Sequence, residues 1–357
     1  MKSIYTNAYP IFFTTEVYKQ LNAYILDKVP SKILILTDTN TEKYCLPIFL
    51  SKLECNCSIL HYSIPHGETN KNIQACIKLW HYLSENRIDR NAILINLGGG
   101  VVTDLGGFVA STYLRGIRFI HVPTTLLAMV DASVGGKTGV DLGVLKNQIG
   151  VINTPEMVLI DTRYLKSLSN KELHSGIAEM LKHGLIYSME YWQKLTANTI
   201  KLDTNLDALI WESVKIKNEV VEQDPNEKGL RKILNFGHTL GHAIESYFLS
   251  LNNKKTLLHG EAIAIGMVLA AFLSKEILGL SDMYVKKIAS VYKIYFQKVT
   301  IHDKEVASII NFLQFDKKNR NNQVNFVLLK DIGNPEINCV VSNTLLYAAF
   351  GFYQDYI

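Results

Sequence analysis

The segment Ala92–Leu97 reads Ala-Ile-Leu-Ile-Asn-Leu and runs directly into Gly98-Gly99-Gly100. A strand that is apolar on both faces, Asn96 excepted, belongs in a sheet covered on both sides, and such sheets are parallel with helical crossovers. Lys32–Thr37, Ser58–Ile64, Ile117–Val122 and Met157–Ile160 read as further short strands. Between them, Ile73, Cys76, Ile77, Trp80 and Leu83 recur at helical spacing. The first half is therefore expected to form a Rossmann-like parallel α/β domain with its ligand at the carboxyl ends of the strands.

After about residue 170 the pattern changes. Lys171–Ile186, Asp203–Val221, Arg231–Phe248, Gly260–Leu278 and Asp282–Tyr295 read as helices, and only Gln323–Leu329 looks strand-like. The expectation is an α/β domain over residues 1–170 and a mainly helical domain over 171–357. No internal repeat or low-complexity tract interrupts either half.

Composition removes several function classes. A chain that is 48% hydrophobic and 20% charged has the apolar content to fold. Its longest apolar run, Ala262–Leu273, falls short of the roughly 20 residues of a membrane span. The net charge of +4, with basic pairs scattered along the chain, predicts a small anionic substrate and no nucleic acid or membrane partner. Five cysteines without framework spacing, and no sustained apolar stretch behind Lys2, suggest a reducing, cytoplasmic location.

Two groups of residues can carry chemistry. Gly98-Gly99-Gly100, with Asp104, Gly106 and Gly107 following, is a phosphate-loop arrangement, because glycines let backbone N–H groups approach an anion. A tight structural turn would look the same, and the spacing is not that of GxGxxG. Pro123-Thr124-Thr125 and Asp131-Ala132-Ser133-Val134-Gly135-Gly136-Lys137-Thr138-Gly139 place polar groups among glycines nearby in sequence, but lack a Walker spacing. In the second half, His238 and His242 stand four apart, with Arg231 and Asn235 expected on the same helical face. His259 opens a later helix, and Glu179 shares an earlier one with Lys182 and His183. A carboxylate with imidazoles suits a catalytic zinc site. Spacing leaves the ligands open among His183, His238, His242 and His259.

Gly98-Gly99-Gly100-Val101-Val102-Thr103-Asp104, Val122-Pro123-Thr124-Thr125-Leu126-Leu127, the Asp131–Thr138 run, Lys146-Asn147, Glu179, Asn235-Phe236-Gly237-His238-Thr239-Leu240-Gly241-His242 and His259-Gly260-Glu261 closely resemble the 3-dehydroquinate synthases. The resemblance spans about Asp38 to Gly333. It implies a two-domain fold with the site in the cleft. It also implies conversion of 3-deoxy-D-arabino-heptulosonate 7-phosphate to 3-dehydroquinate and phosphate, by transient NAD oxidation, β-elimination, reduction and intramolecular aldol closure.

The same resemblance implies roles residue by residue. Glu179, His238 and His259 would hold Zn²⁺ or Co²⁺, leaving His242 to face the substrate. NAD would contact Asp38, Asn40, Glu68, Lys71, Gly99, Gly100, Val101, Asp104, Thr124, Thr125, Lys137, Lys146 and Ser167. Asp131, Lys137, Asn147, Lys182, Lys217, Arg231, Asn235, His242 and one of Lys317 or Lys318 would meet the substrate. His242 and the leaving phosphate are both candidate proton carriers. Family members are commonly homodimers, and Arg115 would reach the neighbouring subunit's phosphate site. His66 and Thr103 depart from the family's usual residues near the cofactor. The rival readings are another sugar phosphate cyclase, a metal-dependent polyol dehydrogenase and a non-catalytic cofactor-binding regulator. The abundance of cationic groups argues against a neutral polyol.

Overall fold

The structure, a computed structural model, describes residues 1–202, 206–251, 256–315 and 324–357. The chain divides into two compact units: Met1–Ser169 with Leu202–Asn218, and Asn170–Lys201 with Glu219–Ile357. This differs from a single cut after residue 170, since the change of unit falls inside the helix Leu206–Gln223. A helix reads as one periodic segment whichever unit its residues join.

The strands of the first unit are β1 (Ile4–Tyr5), β2 (Pro10–Phe13), β3 (Lys32–Asp38), β4 (Ser58–Ile64), β5 (Ile93–Gly98), β6 (Arg118–Pro123), β7 (Lys137–Leu142), β8 (Leu145–Ile152) and β9 (Met157–Ile160). Seven form one sheet in the order β1-β2-β9-β6-β5-β3-β4. Every pairing is parallel except β1 with β2. The five strands expected from the sequence are all present, and β5 is buried at every position. Its polar exception, Asn96, meets Nδ1 of the buried His121 on β6 at 3.2 Å. Leu34, Leu36, Leu94, Val102, Leu105 and Phe119 belong to the core that joins this sheet to the helices Ile73–Glu85 and Gly100–Thr112. Ile77, placed on the buried face by its spacing, is 43% exposed, while Cys76, Leu79 and Leu83 are buried.

From β3 the chain moves to β4 on one side, and then to β5 and β6 on the other. The order reverses between β3 and β5, so the crevice of this sheet opens where Asp38 ends β3 and Gly98 ends β5. The hairpin β7–β8 takes up Lys137-Thr138-Gly139, the end of the run that begins at Asp131. Gly139 and Gly150 pair within it because any Cβ would collide: Ile149 O lies 2.4 Å from the one and Thr138 O 2.2 Å from the other.

The second unit is mainly helical, with one hairpin of β10 (Phe326–Asp331) and β11 (Asn334–Cys339) among its described residues. The apolar run Ala262–Leu273 lies within the helix His259–Leu278, which is buried along most of its length. No described helix is long and apolar enough to cross a membrane.

One expected helix is interrupted. Leu230–Asn235 is a 3-10 turn, Gly237 is left-handed at φ +75°, and an α-helix begins only at His238. Arg231 and Asn235 therefore do not share a helical face with His238 and His242. The reason is packing, since a Cβ on Gly237 would lie 2.6 Å from Met267 Cγ and 2.9 Å from Met267 N. Gly266 likewise leaves no room for a Cβ, which would meet Gly237 O at 2.0 Å. Glycine is what lets His238–Ser250 close on His259–Leu278.

Candidate active site

In the first unit the resemblance-implied cofactor residues gather around the sheet's crevice. Asp38 caps the helix Thr39–Tyr44, its Oδ1 accepting from the N–H groups of Asn40 at 2.9 Å and Thr41 at 2.8 Å. Gly99 is the N-cap of Gly100–Thr112, so the first N–H groups of that helix, at Gly100 and Val101 among them, lack helical acceptors and favour an anion. Thr103 is buried, and its hydroxyl donates to the carbonyls of Gly99 and Gly100, each at 3.2 Å. Its departure from glycine is thus accommodated inside its own helical turn. Thr124 N donates to Gly98 O at 3.0 Å, and the Thr125 methyl would lie 2.9 Å from any Cβ on Gly99. Ser167 donates locally, to Tyr164 O at 2.9 Å. The exposed His66 meets Thr39 Oγ1 through Nδ1 at 3.1 Å.

A buried ionic network lies beside this loop. Lys71 Nζ donates to Asp104 Oδ2 and to Asn147 Oδ1 at 2.6 Å. Lys146 Nζ donates to Glu68 and to Asp141 Oδ2 at 2.7 Å. Burial alone would lower the pKa of Lys71, but Asp104 and Glu68 outweigh it and raise it above the ordinary lysine value. Burial raises the carboxyl groups of Asp104 and Asp141, opposed by Lys71 for the first and by Lys146 and Lys71 for the second. Lys137 opens β7. Asp131 sits in the π-helical turn Ala128–Ala132, where Lys217 Nζ donates to its Oδ1 at 2.7 Å and to its carbonyl. Arg115 is exposed and left-handed at φ +65°, between Leu114 at φ +51° and Gly116 at φ +118°.

The second unit brings Glu179, His238 and His259 together. Glu179 Oε1 lies 3.5 Å from His238 Nε2 and 3.6 Å from His259 Nε2. Donors bound tetrahedrally to zinc at 2.0–2.1 Å stand about 3.4 Å from each other, close to both of these distances, and one ring nitrogen each of His238, His242 and His259 also lie within 4.8 Å of one another. The other ring nitrogens are held from behind: His238 Nδ1 meets Phe236 O at 3.2 Å and His259 Nδ1 meets Glu245 Oε2 at 3.0 Å. Hydrogen bonding of the far nitrogen orients a ligating imidazole. The fully buried Glu179 also pairs with Lys182 through Oε2. His242 completes the imidazole group, its ring 5.2 Å from that of His238 and 5.6 Å from that of His259.

Local sequence explains this convergence. A Cβ on Gly260 would meet Ser175 O at 2.2 Å, so glycine lets the helix beginning at His259 press against the helix carrying Glu179, and Gly260 N donates to Ser175 Oγ at 2.9 Å. Burial disfavours the charged form of His259, but Glu245 and Glu179 outweigh it and raise its pKa to about 10.

Arg231 is buried, with Nη1 donating to Pro225 O at 2.7 Å, and Asn235 Nδ2 donates to Glu227 Oε1 at 2.9 Å. His183 is fully buried on the Glu179 helix. Lys317 and Lys318 lie outside the described residues. Glu245 and Asp141 are additions that the sequence reading missed. Glu245 had a signal, because it follows His238 by seven and His242 by three, on one helical face. Asp141 had none, since Lys146 and Asn147 meet it across an irregular hairpin and Lys71 O from a segment 70 residues earlier.

A nucleotide-type sheet with a glycine-opened helix in one unit, and a carboxylate–imidazole cluster in the other, define a nucleotide- and metal-dependent enzyme. The family model for the 3-dehydroquinate synthase N-terminal domain matches residues 61–175, and that for its C-terminal domain matches 176–319. A 3-dehydroquinate synthase of Parabacteroides distasonis is 38% identical over 91% of this chain and 92% of its own length. Among solved structures, 2-deoxy-scyllo-inosose synthase complexed with carbaglucose-6-phosphate, NAD⁺ and Co²⁺ aligns with a TM-score of 0.83 at 24% identity, covering 98% of each chain. The 2-epi-5-epi-valiolone synthase of Streptomyces hygroscopicus subsp. jinggangensis, with NAD⁺ and Zn²⁺ bound, aligns with 0.86 at 23% identity over 100% of this chain and 99% of that one. The chain belongs to the 3-dehydroquinate synthase family. Its reaction is that of an NAD- and metal-dependent lyase.

Proposed function

We propose that the chain converts 3-deoxy-D-arabino-heptulosonate 7-phosphate to 3-dehydroquinate and phosphate. The single geometric observation that carries this reading is Glu179 Oε1 at 3.5 and 3.6 Å from two imidazole Nε2 atoms, the donor set for the required metal. When bound, NAD supplies reversible oxidation of a hydroxyl and the metal supplies polarisation of an oxygen.

The chain's own residues bind and orient. Asp38, Asn40, Glu68, Lys71, Gly99, Gly100, Val101, Asp104, Thr124, Thr125, Lys137, Lys146 and Ser167 form the cofactor set. Asp131, Lys137, Asn147, Lys182, Lys217, Arg231 and Asn235 form the substrate set, together with His242. A substrate with a carboxylate and a phosphate needs charge-assisted donors at both ends, which the lysines and Arg231 offer. A neutral polyol needs no such set. His242 and the leaving phosphate are the two candidate proton carriers. The assembly reading is a homodimer in which Arg115 serves the partner's phosphate site, supported by its exposure on a left-handed turn.

Product analysis tests the reading. The metal-loaded protein with NAD⁺ should release phosphate and form 3-dehydroquinate from the heptulosonate phosphate. Turnover of sedoheptulose 7-phosphate instead would identify another cyclase, and net NADH from glycerol without phosphate release would identify a dehydrogenase.

A further inference from the structure

The hairpin β7–β8 is irregular where it meets the ionic network. Val140 pairs with Ile149 and Leu142 with Leu145, so one residue on β7 faces three on β8, Lys146, Asn147 and Gln148. Bulges of this kind interrupt the ladder and re-aim side chains. Asn147 is left-handed there, at φ +51°. The residue opposite is Asp141, only 5% exposed, and its carboxylate is divided between the neighbours. Oδ1 accepts from Asn147 N at 2.7 Å, and Oδ2 accepts from Lys146 Nζ at 2.7 Å. Asp141 N in turn donates to Lys71 O at 2.9 Å, and Lys71 Nζ reaches Asn147 Oδ1 at 2.6 Å.

We propose that Asp141 is a positioning residue whose two carboxylate oxygens separately fix the cofactor-facing Lys146 and the substrate-facing Asn147. The proposal rests on the roles given above to those two residues. One oxygen supplies the acceptor that the bulge removes from the Asn147 N–H, and so maintains its left-handed backbone. The other holds the ammonium of Lys146 against rotation of its long side chain. Lys71 closes the loop by gripping the Asn147 amide oxygen.

The two oxygens make the substitutions separable. Asp141→Asn keeps a carbonyl oxygen for the Asn147 N–H but removes the charge opposite Lys146. Loss of one charge-assisted bond corresponds to about a tenfold weaker NAD⁺ affinity by calorimetry of the metal-loaded protein. KM for the heptulosonate phosphate at saturating NAD⁺ should stay within about threefold in that variant, as the backbone bond persists. Asp141→Ala removes both contacts and should also raise KM by about tenfold.

An Asp141→Asn protein with wild-type NAD⁺ affinity overturns the proposal, whether or not Asp141→Ala folds. Equal losses of NAD⁺ affinity and KM in Asp141→Asn also overturn it, because they deny the division between oxygens. A wild-type protein that binds NAD⁺ but does not form 3-dehydroquinate refutes the underlying reaction instead, and the calorimetric arm still decides the Lys146 half.

Discussion

Glu245 Oε2 lies 3.0 Å from Nδ1 of His259, on the side of the ring opposite the Nε2 that faces Glu179. With a metal on Nε2, the contact would hold the remaining proton on Nδ1 and orient the ring, and a carboxylate behind the ring raises its basicity. Glu245→Gln should weaken zinc affinity by about 10- to 100-fold, the usual effect of losing such a support. Competition with a chromophoric chelator measures it, and wild-type affinity in the variant would show that the ring needs no support.

His238 and His242 should separate in their effects. His238 Nε2 is 3.5 Å from Glu179 Oε1, so His238→Ala should purify without metal. His242→Ala should keep its metal and lose turnover by about 100-fold or more, the scale of a lost proton carrier. Elemental analysis of both proteins is the check. Equal metal loss would place both rings in the ligand set.

Gly260 should resist any side chain. A Cβ there would lie 2.2 Å from Ser175 O and 2.4 Å from Ser175 Cα, both backbone atoms that cannot move cheaply. Gly260→Ala should cost about 1–3 kcal/mol as overpacking and weaken metal binding by shifting His259 away from Glu179. Gly351, in the helix Asn343–Tyr356 with nothing within 4 Å of its Cβ position, is the control. Gly351→Ala should add up to about 1 kcal/mol. Urea unfolding compares them, and a neutral Gly260→Ala would refute the close-approach account.

Stability should fall in acid partly through His121. Burial lowers its pKa from 6.5 to about 3. Between those values the unfolded chain binds a proton that the folded chain refuses, so stability declines as pH falls, by up to about 1.4 kcal/mol per pH unit from this ring. Above pH 6.5 the ring is neutral in both states and the contribution vanishes. His121→Gln should flatten that part of the slope between pH 6.5 and 5 in denaturant titrations, and an unchanged slope would assign it elsewhere.

The proposed sharing of Arg115 between subunits predicts complementation between chains. Arg115→Ala and Lys182→Ala proteins, each inactive, should regain activity after subunit exchange, since some mixed dimers then hold one intact site. Exchange demonstrated by mass labelling without recovery would place Arg115 in its own subunit's site or outside both.

The sequence by itself determined the layer of parallel strands, because a run such as Ala92–Leu97 has no polar face to give to water. It also made legible the glycine turn, the histidine pair and their resemblance to one family. Periodicity could not show where Arg231–Phe248 breaks, since Gly237 is left-handed only because Met267 and the Gly266 helix press against it. The short, irregular hairpin β7–β8 escaped for a related reason, as its pairing rests on two glycines whose backbones must touch. Tertiary structure alone decided which atoms meet: Glu179 with two rings that lie 59 and 80 residues later in the chain, and Asp141 with Lys146 and Asn147. Local sequence fixes propensity and pattern, whereas donor geometry depends on how closely separate helices and strands can approach, and that distance is set by packing.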